Sequence, residues 1–321
     1  MSEETVRRES VAVVGCGHVG ATSAYALMLS GVTREIVLLD ADARRAEGEA
    51  MDLQQAVAIS RPVEVRAGDW RDAARASVAV IAAGVGGRPG ESRLDLLGRN
   101  VVVVREVIRK LLDEGFGGVV LMTTNPVDVL SQFAQEDSGL PVGRVVGSGT
   151  VLDSARLRAM LGRHLGVEPR SIHAHVVGEH GDSEIAAWSS ARVAGLPVRE
   201  FCEGAGLECP DFDELLRRVR RAAPDIIERK GYTSYAIASC VARICEAVLR
   251  DEHSVLPVST LLTGQYGISD VYLSLPCVVG RAGVERVIEI PLDEREREGL
   301  RASAELLRRT VETTRGKTAA G

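Results

Sequence analysis

The 321-residue chain holds no apolar run long enough to cross a bilayer, so no membrane span is expected. It also lacks a positive excess. The formal charge is −6, which argues against a nucleic-acid-binding surface and suits a cytoplasmic enzyme. Lysine is scarce beside arginine, which says little about chemistry. The six cysteines (Cys16, Cys202, Cys209, Cys240, Cys245 and Cys277) form no C-x-x-C pair and no His/Cys cluster. That spacing gives no disulfide framework and no metal site, and fits reduced thiols in a reducing compartment. The segment from Met1 to Ser10 is polar and charged, so a secretory signal is not expected. No internal repeat or low-complexity tract is visible.

What is present is organised around residues 11–40. Val11-Ala12-Val13-Val14 reads as a strand, Gly15-Cys16-Gly17-His18-Val19-Gly20 as a tight turn opening a helix, and Ile36-Val37-Leu38-Leu39 as a second strand ending on Asp40. Gly15 permits the turn, Gly17 lets backbone approach a pyrophosphate, and Gly20 lets the helix pack on the strand. A diphosphate would rest on free amides at the helix N-terminus. Asp40 would accept from ribose hydroxyls and repel a 2′-phosphate, favouring NAD over NADP.

The rest of the first half alternates in the same way. A helix is predicted over 43–58, strands over 63–66, 77–83 and 117–122, and a long helix carrying Leu94, Leu97, Val101, Val104, Ile108 and Leu111. The pattern predicts a Rossmann-type doubly wound parallel sheet over residues 1–148. A mixed α+β substrate domain is predicted over 149–321, with helices at 150–165, 211–229, 231–250 and 293–315. Its strands are expected near 172–177, 255–262 and 285–290.

Four constellations could carry chemistry. His180 lies in Gly178-Glu179-His180-Gly181-Asp182-Ser183; a lone histidine is more often structural. Asp153 and Arg156 share one face of a helix, where a plain i,i+3 ion pair is the bland reading. Arg158 lies about 200° round that helix from Arg156. Arg93 opens the long helix, where a cation opposes the macrodipole; it follows the glycine-rich loop Gly84-Val85-Gly86-Gly87-Arg88-Pro89-Gly90 and could ride a lid. Thr124-Asn125-Pro126 ends a strand where α/β folds place ligand contacts, and its X-Pro bond could be cis or trans.

Together these motifs, with Pro89–Leu96, Thr124–Asp128, Ser148–Arg156 and Gly231–Ile237, resemble the L-lactate/malate dehydrogenase family, in its bacterial branch, from about residue 9 to about 312. The resemblance implies hydride transfer between NADH and pyruvate, giving L-lactate. His180 would be the general acid/base, Asp153 its partner, and Arg156 the clamp on the substrate carboxylate. Arg93 would arrive with a closing loop and polarise the carbonyl. Asn125, Thr233 and Gly87 would line the substrate site. Gly15, Gly17, Val19, Gly20, Asp40, Gly84, Asn100, Thr123 and Asn125 would hold the cofactor. Arg158 and His173 match a fructose bisphosphate site of allosteric relatives, implying a homotetramer.

One position departs from the family. Gly87 stands where lactate-type relatives usually carry glutamine and malate-type relatives arginine. Without arginine a second carboxylate has no partner, and Glu91 adds negative charge to the same loop, so oxaloacetate is disfavoured. A broader L-2-hydroxy acid dehydrogenase is the alternative, then a malate dehydrogenase. A different class, an inactive dinucleotide-binding protein, is opposed by the joint presence of Arg93, Asp153, Arg156 and His180.

Overall fold

The computed structural model describes residues 9–86, 90 and 92–319, with backbone alone at 93, 318 and 319. Gly87 and Glu91 lie outside the described residues, as does the side chain of Arg93.

The first half runs β1 (Ser10–Val14), α1 (His18–Ser30), β2 (Glu35–Leu39), α2 (Ala43–Val57), β3 (Glu64–Ala67), α3 (Trp70–Ala74), β4 (Val78–Ile81), α4 (Arg93–Asp113), β5 (Val119–Met122), α5 (Val127–Ser138) and β6 (Val145–Gly147). The second half continues with α6 (Val151–Leu165), β7 (Ile172–His173), β8 (Val176–Val177), β9 (Ile185–Ala186), β10 (Arg192–Val193), β11 (Leu196–Pro197), α7 (Val198–Ala205), α8 (Phe212–Lys230), α9 (Tyr235–Leu249), β12 (Ser254–Thr263), β13 (Ser269–Gly280), β14 (Gly283–Val287) and α10 (Glu294–Ala319).

Strands β3-β2-β1-β4-β5-β6 are parallel neighbours in that order. This is the doubly wound arrangement, with its crevice where the order reverses between β1 and β4. The strands are apolar throughout because both faces are covered. Val11 and Val13 join one core, against Leu27, Met28 and Ile244. Ala12 and Val14 point the other way into a second core, with Val104, Ile108 and Phe133.

The second half departs from expectation in three places. Strands β12, β13 and β14 continue the same sheet beyond β6, antiparallel, giving nine strands among the described residues. The second half therefore adds three strands to the first half's sheet. The stretch expected as one strand over 172–177 is two: β7 pairs with β10, and β8 pairs with β9 in another sheet. The strand expected at 285–290 runs instead from Gly283 to Val287. A smaller third core, including Leu157, Leu161, Ile172, Val193 and Val219, lies under α6, α7 and α8.

Candidate active site

The glycine turn sits at the crevice. Gly15 has φ +98°, and a Cβ there would stand 2.5 Å from the Ala83 backbone nitrogen. A Cβ on Gly20 would stand 1.7 Å from the Gly15 carbonyl oxygen, so only glycine lets α1 approach β1 this closely. At Gly17 a Cβ would meet open space, leaving the backbone free to be approached from the groove. Among the described residues no side chain caps α1, so its first turn keeps amides for an anion. Val19 lies in this turn, half-buried.

Asp40 ends β2 beside the turn. One of its carboxylate oxygens accepts from the Cys16 N–H at 2.6 Å and the other from the Asp42 N–H at 3.0 Å. A carboxylate oxygen accepts more than one bond, so ribose hydroxyls remain within its capacity. Around the ends of β4 and β5, Asn100 Oδ1 accepts from the Val85 N–H at 2.8 Å and Thr123 Oγ1 donates to the Ile81 carbonyl at 2.9 Å. A Cβ on Gly84 would stand 2.7 Å from Thr124 Cγ2. The donors and space of this rim fit a dinucleotide.

The second cluster centres on buried Asp153, with Arg156 and His180 half-buried beside it. Asp153, only 2 % exposed, binds His180 Nδ1 at 2.5 Å through one oxygen and accepts from Arg156 Nη1 at 2.8 Å through the other. Helical spacing places Asp153 and Arg156 together, but His180 arrives from 27 residues away. What fixes that distance is a set of hydrogen bonds between α6 and β8. Thr150 Oγ1 donates to the Val176 carbonyl at 2.6 Å, and Ser154 Oγ accepts from the Val176 N–H at 2.8 Å. Beyond β8, Gly178 exchanges backbone bonds with Ser274 of β13, both at 2.9 Å.

Electrostatics follow from the burial. Burial alone would raise the Asp153 pKa, but the His180 and Arg156 charges outweigh it and hold the carboxyl below its usual range. For His180 burial disfavours the charged ring, yet the charge and hydrogen bond of Asp153, with Asp128 and Glu184, push it up to about 9.

Two residues escaped the sequence reading. Asp128 is buried on the first turn of α5; it accepts from the His180 N–H at 2.8 Å and from Ser259 Oγ at 2.5 Å. Burial pushes its carboxyl up to about 6, against the pull of Ser259 and His180. Its motif was visible, but nothing in the local pattern tied it to a histidine 52 residues on. Glu184 lies within 4.8 Å of both Asp153 and His180 in their ligating atoms, and no spacing rule announces it.

The remaining expected residues are placed as follows. Asn125 is exposed at the end of β5, and its bond to Pro126 is cis. Thr233 is half-buried in the segment before α9. That segment meets the glycine turn, because His18 and the neighbouring Tyr232 stack with ring centroids 3.8 Å apart and planes 6° apart. Arg93 stands at the start of α4, capped by Ser92. Arg158 is half-buried on α6, close enough to His175 to act on it, and makes no ion pair among the described residues. His173 is exposed on β7, opposite Arg192 of β10.

A doubly wound sheet with this glycine turn and acid, beside a buried histidine–carboxylate–guanidinium group, defines an NAD-dependent oxidoreductase of the α/β class. Residues 9–147 match the lactate/malate dehydrogenase NAD binding domain and residues 150–317 the α/β C-terminal domain of the same family. The chain belongs to the lactate/malate dehydrogenase family. It is 47 % identical over 304 residues to an L-lactate dehydrogenase of Thermoanaerobacter sp. strain X514, covering 94 % of this chain and 98 % of the relative. It is 45 % identical over 313 residues to an L-lactate dehydrogenase of Limosilactobacillus reuteri, covering 98 % and 96 %. Among solved structures it is similar to a lactate dehydrogenase from a Medee basin deep-sea metagenome library, with TM-score 0.93, 40 % identity and coverage of 96 % and 99 %. The ligand-bound minor L-lactate dehydrogenase of Enterococcus mundtii also gives TM-score 0.93, at 39 % identity, covering 96 % and 98 %.

Proposed function

We propose that this protein is an L-lactate dehydrogenase that interconverts pyruvate and L-lactate with NADH and NAD. The observation that carries the reading is Asp153 holding His180 by one oxygen and Arg156 by the other. An acid/base group and a carboxylate clamp are thereby fixed relative to each other, which is what a 2-keto acid requires. Likeness to named L-lactate dehydrogenases over nearly the whole chain supports the substrate.

NADH, when bound, supplies the hydride. Gly17 and the first amides of α1 would receive its diphosphate and Asp40 its adenosine ribose. Val19, Gly84, Asn100, Thr123 and Asn125 would line the path toward the nicotinamide. Arg156 grips the substrate carboxylate through parallel hydrogen bonds and fixes the face presented to hydride. His180, with Nδ1 on Asp153, gives the proton on Nε2 to the carbonyl oxygen, and takes it back in the reverse direction. Arg93, at the head of α4, polarises that carbonyl, and Asn125 and Thr233 shape the wall. Gly87 offers no side chain to pair with a distal carboxylate, so pyruvate is preferred to oxaloacetate, with bulkier 2-keto acids tolerated.

The seam between cofactor and substrate regions is placed at residue 148, and the working form is a cytoplasmic homotetramer. Arg158 and His173 would bind fructose bisphosphate as an activator. Support comes from the placing of two basic side chains: Arg158 and His173 both lie close enough to His175 to act on it, so an anion there could meet both. The test of the substrate reading is NADH oxidation with pyruvate, 2-ketobutyrate and oxaloacetate, compared as kcat/KM. Pyruvate ranks first if the reading holds; preference for oxaloacetate overturns it.

A further inference from the structure

Glu184 follows the Gly178–Ser183 run directly and precedes β9. It is 2 % exposed, and its Oε1 has no hydrogen-bond partner among the described residues. Its carboxylate, that of Asp153 and the imidazole of His180 all lie within 4.8 Å of one another in their ligating atoms. On its other side Glu184 lines a groove of about 1250 Å³, together with Trp188, Arg192, Phe212, Arg220 and Glu296. This groove is separate from the glycine-turn crevice. An unpartnered buried carboxyl oxygen costs free energy unless the group is neutral or has a function there.

Resting on the assignment of His180 as the acid/base, we propose that Glu184 is a positioning residue of the reaction, a third buried group that acts on the substrate only through Asp153 and His180.

The charges around it decide how. From α6, Asp153 repels it and Arg156 attracts it; His180 attracts it, and Arg220 of α8 attracts it while donating to its backbone carbonyl. Glu296 of α10 is turned to the N–H groups of Ser189 and Asp293, each at 2.9 Å. Both oxygens of Asp153 are already held by cationic partners, whereas neither oxygen of Glu184 has such a bond among the described residues. Two buried carboxyls this close do not both ionise readily, and the proton stays on the one without a direct cation. Burial first, then Asp153, push Glu184 up to about 8. Below that pH Glu184 is neutral and leaves Asp153 as the single charge behind the imidazole. Above it, a second negative charge holds the proton on His180 more firmly and extends reduction to higher pH.

The test is the pH profile of kcat/KM for pyruvate with NADH, in the parent and in Glu184→Gln, which keeps shape but cannot ionise. The alkaline limb should fall earlier in Glu184→Gln, by roughly half a pH unit or more, or about threefold less activity on the limb. Superimposable limbs overturn the proposal, since a purely structural role would lower stability without moving the limb. If Glu184→Gln does not fold, infrared spectra of the parent judge the same point. A protonated carboxyl band titrating near pH 8 supports the proposal, and its absence overturns it. A parent that does not oxidise NADH with pyruvate contradicts the dehydrogenase reading instead, and the carboxyl band still decides on Glu184.

Discussion

His180 Nδ1 lies 2.5 Å from an Asp153 oxygen, in a site where Asp153 is only 2 % exposed. Asp153 is committed to ionisation by two cationic neighbours, so it holds the imidazole with Nε2 facing outward and makes the protonated ring the resting form near neutrality. Proton donation to a carbonyl needs that form; lactate oxidation needs the neutral one.

A pH dependence follows with a definite sign. His180 is raised from its ordinary 6.5 to about 9. Pyruvate reduction should therefore hold steady through neutrality and fall as pH rises through about 9, while lactate oxidation rises over the same range. Because the folded value is the higher one, stability from this pair is complete below the unfolded value of 6.5 and lost as pH climbs through about 9. Initial rates in both directions and urea midpoints across this range check both signs.

Replacing His180 with asparagine should leave NADH binding close to parental, since the ring is held by Asp153 rather than by a residue of the glycine turn. Turnover should drop by roughly a hundredfold or more, the usual scale of general acid/base catalysis. NADH fluorescence titration and steady-state rates on the same preparation separate the two effects.

Much of this site was legible because it is written in local patterns. Gly15 and Gly20 stand where a turn and a helix–strand approach require them, and Asp40 closes the next strand at the usual distance. Asp153 and Arg156 share a helical face, so their contact follows from spacing alone. Contacts that depend on tertiary assembly were not legible. Asp128 meets the backbone of His180 only once the first turn of α5 comes beside the loop after β8, and Glu184 becomes chemical only next to Asp153. Strand β13 was missed although it is the longest among the described residues. Its apolar run is broken by Ser274 and Pro276, and it forms only against β12, where Pro276 lies opposite Pro257. Helix α5 was missed because Thr124-Asn125-Pro126 reads as a stop, yet Pro126 is its N-cap.

Asp40 should govern cofactor choice. Its oxygens accept from the Cys16 and Asp42 amides, which fixes the carboxylate at the rim where a 2′-phosphate would be repelled. Asp40→Ser should narrow the NADH preference by raising kcat/KM with NADPH and lowering it with NADH. An unchanged ratio of the two efficiencies would place the ribose elsewhere.

The basic cluster near α6 gives a regulatory prediction. Fructose bisphosphate should lower the pyruvate concentration at half saturation in the parent, by population shift among subunit arrangements. Arg158→Gln should abolish the response without removing turnover, since the two Asp153 oxygens are held by Arg156 and His180. Saturation curves with and without the bisphosphate, at several pH values, decide the point; superimposable parental curves refute it.

The most direct measurement is pyruvate reduction by Asp153→Asn across pH, followed as NADH consumption beside the parent. Asparagine keeps the shape but removes the charge that orders His180 and steadies Arg156. The predicted result is a fall in kcat/KM of roughly a hundredfold or more, with the alkaline limb moved from about 9 toward the ordinary 6.5 of histidine. A variant within tenfold of the parent, with its alkaline limb unmoved, would contradict the assignment of Asp153 and His180 as the proton-donating pair.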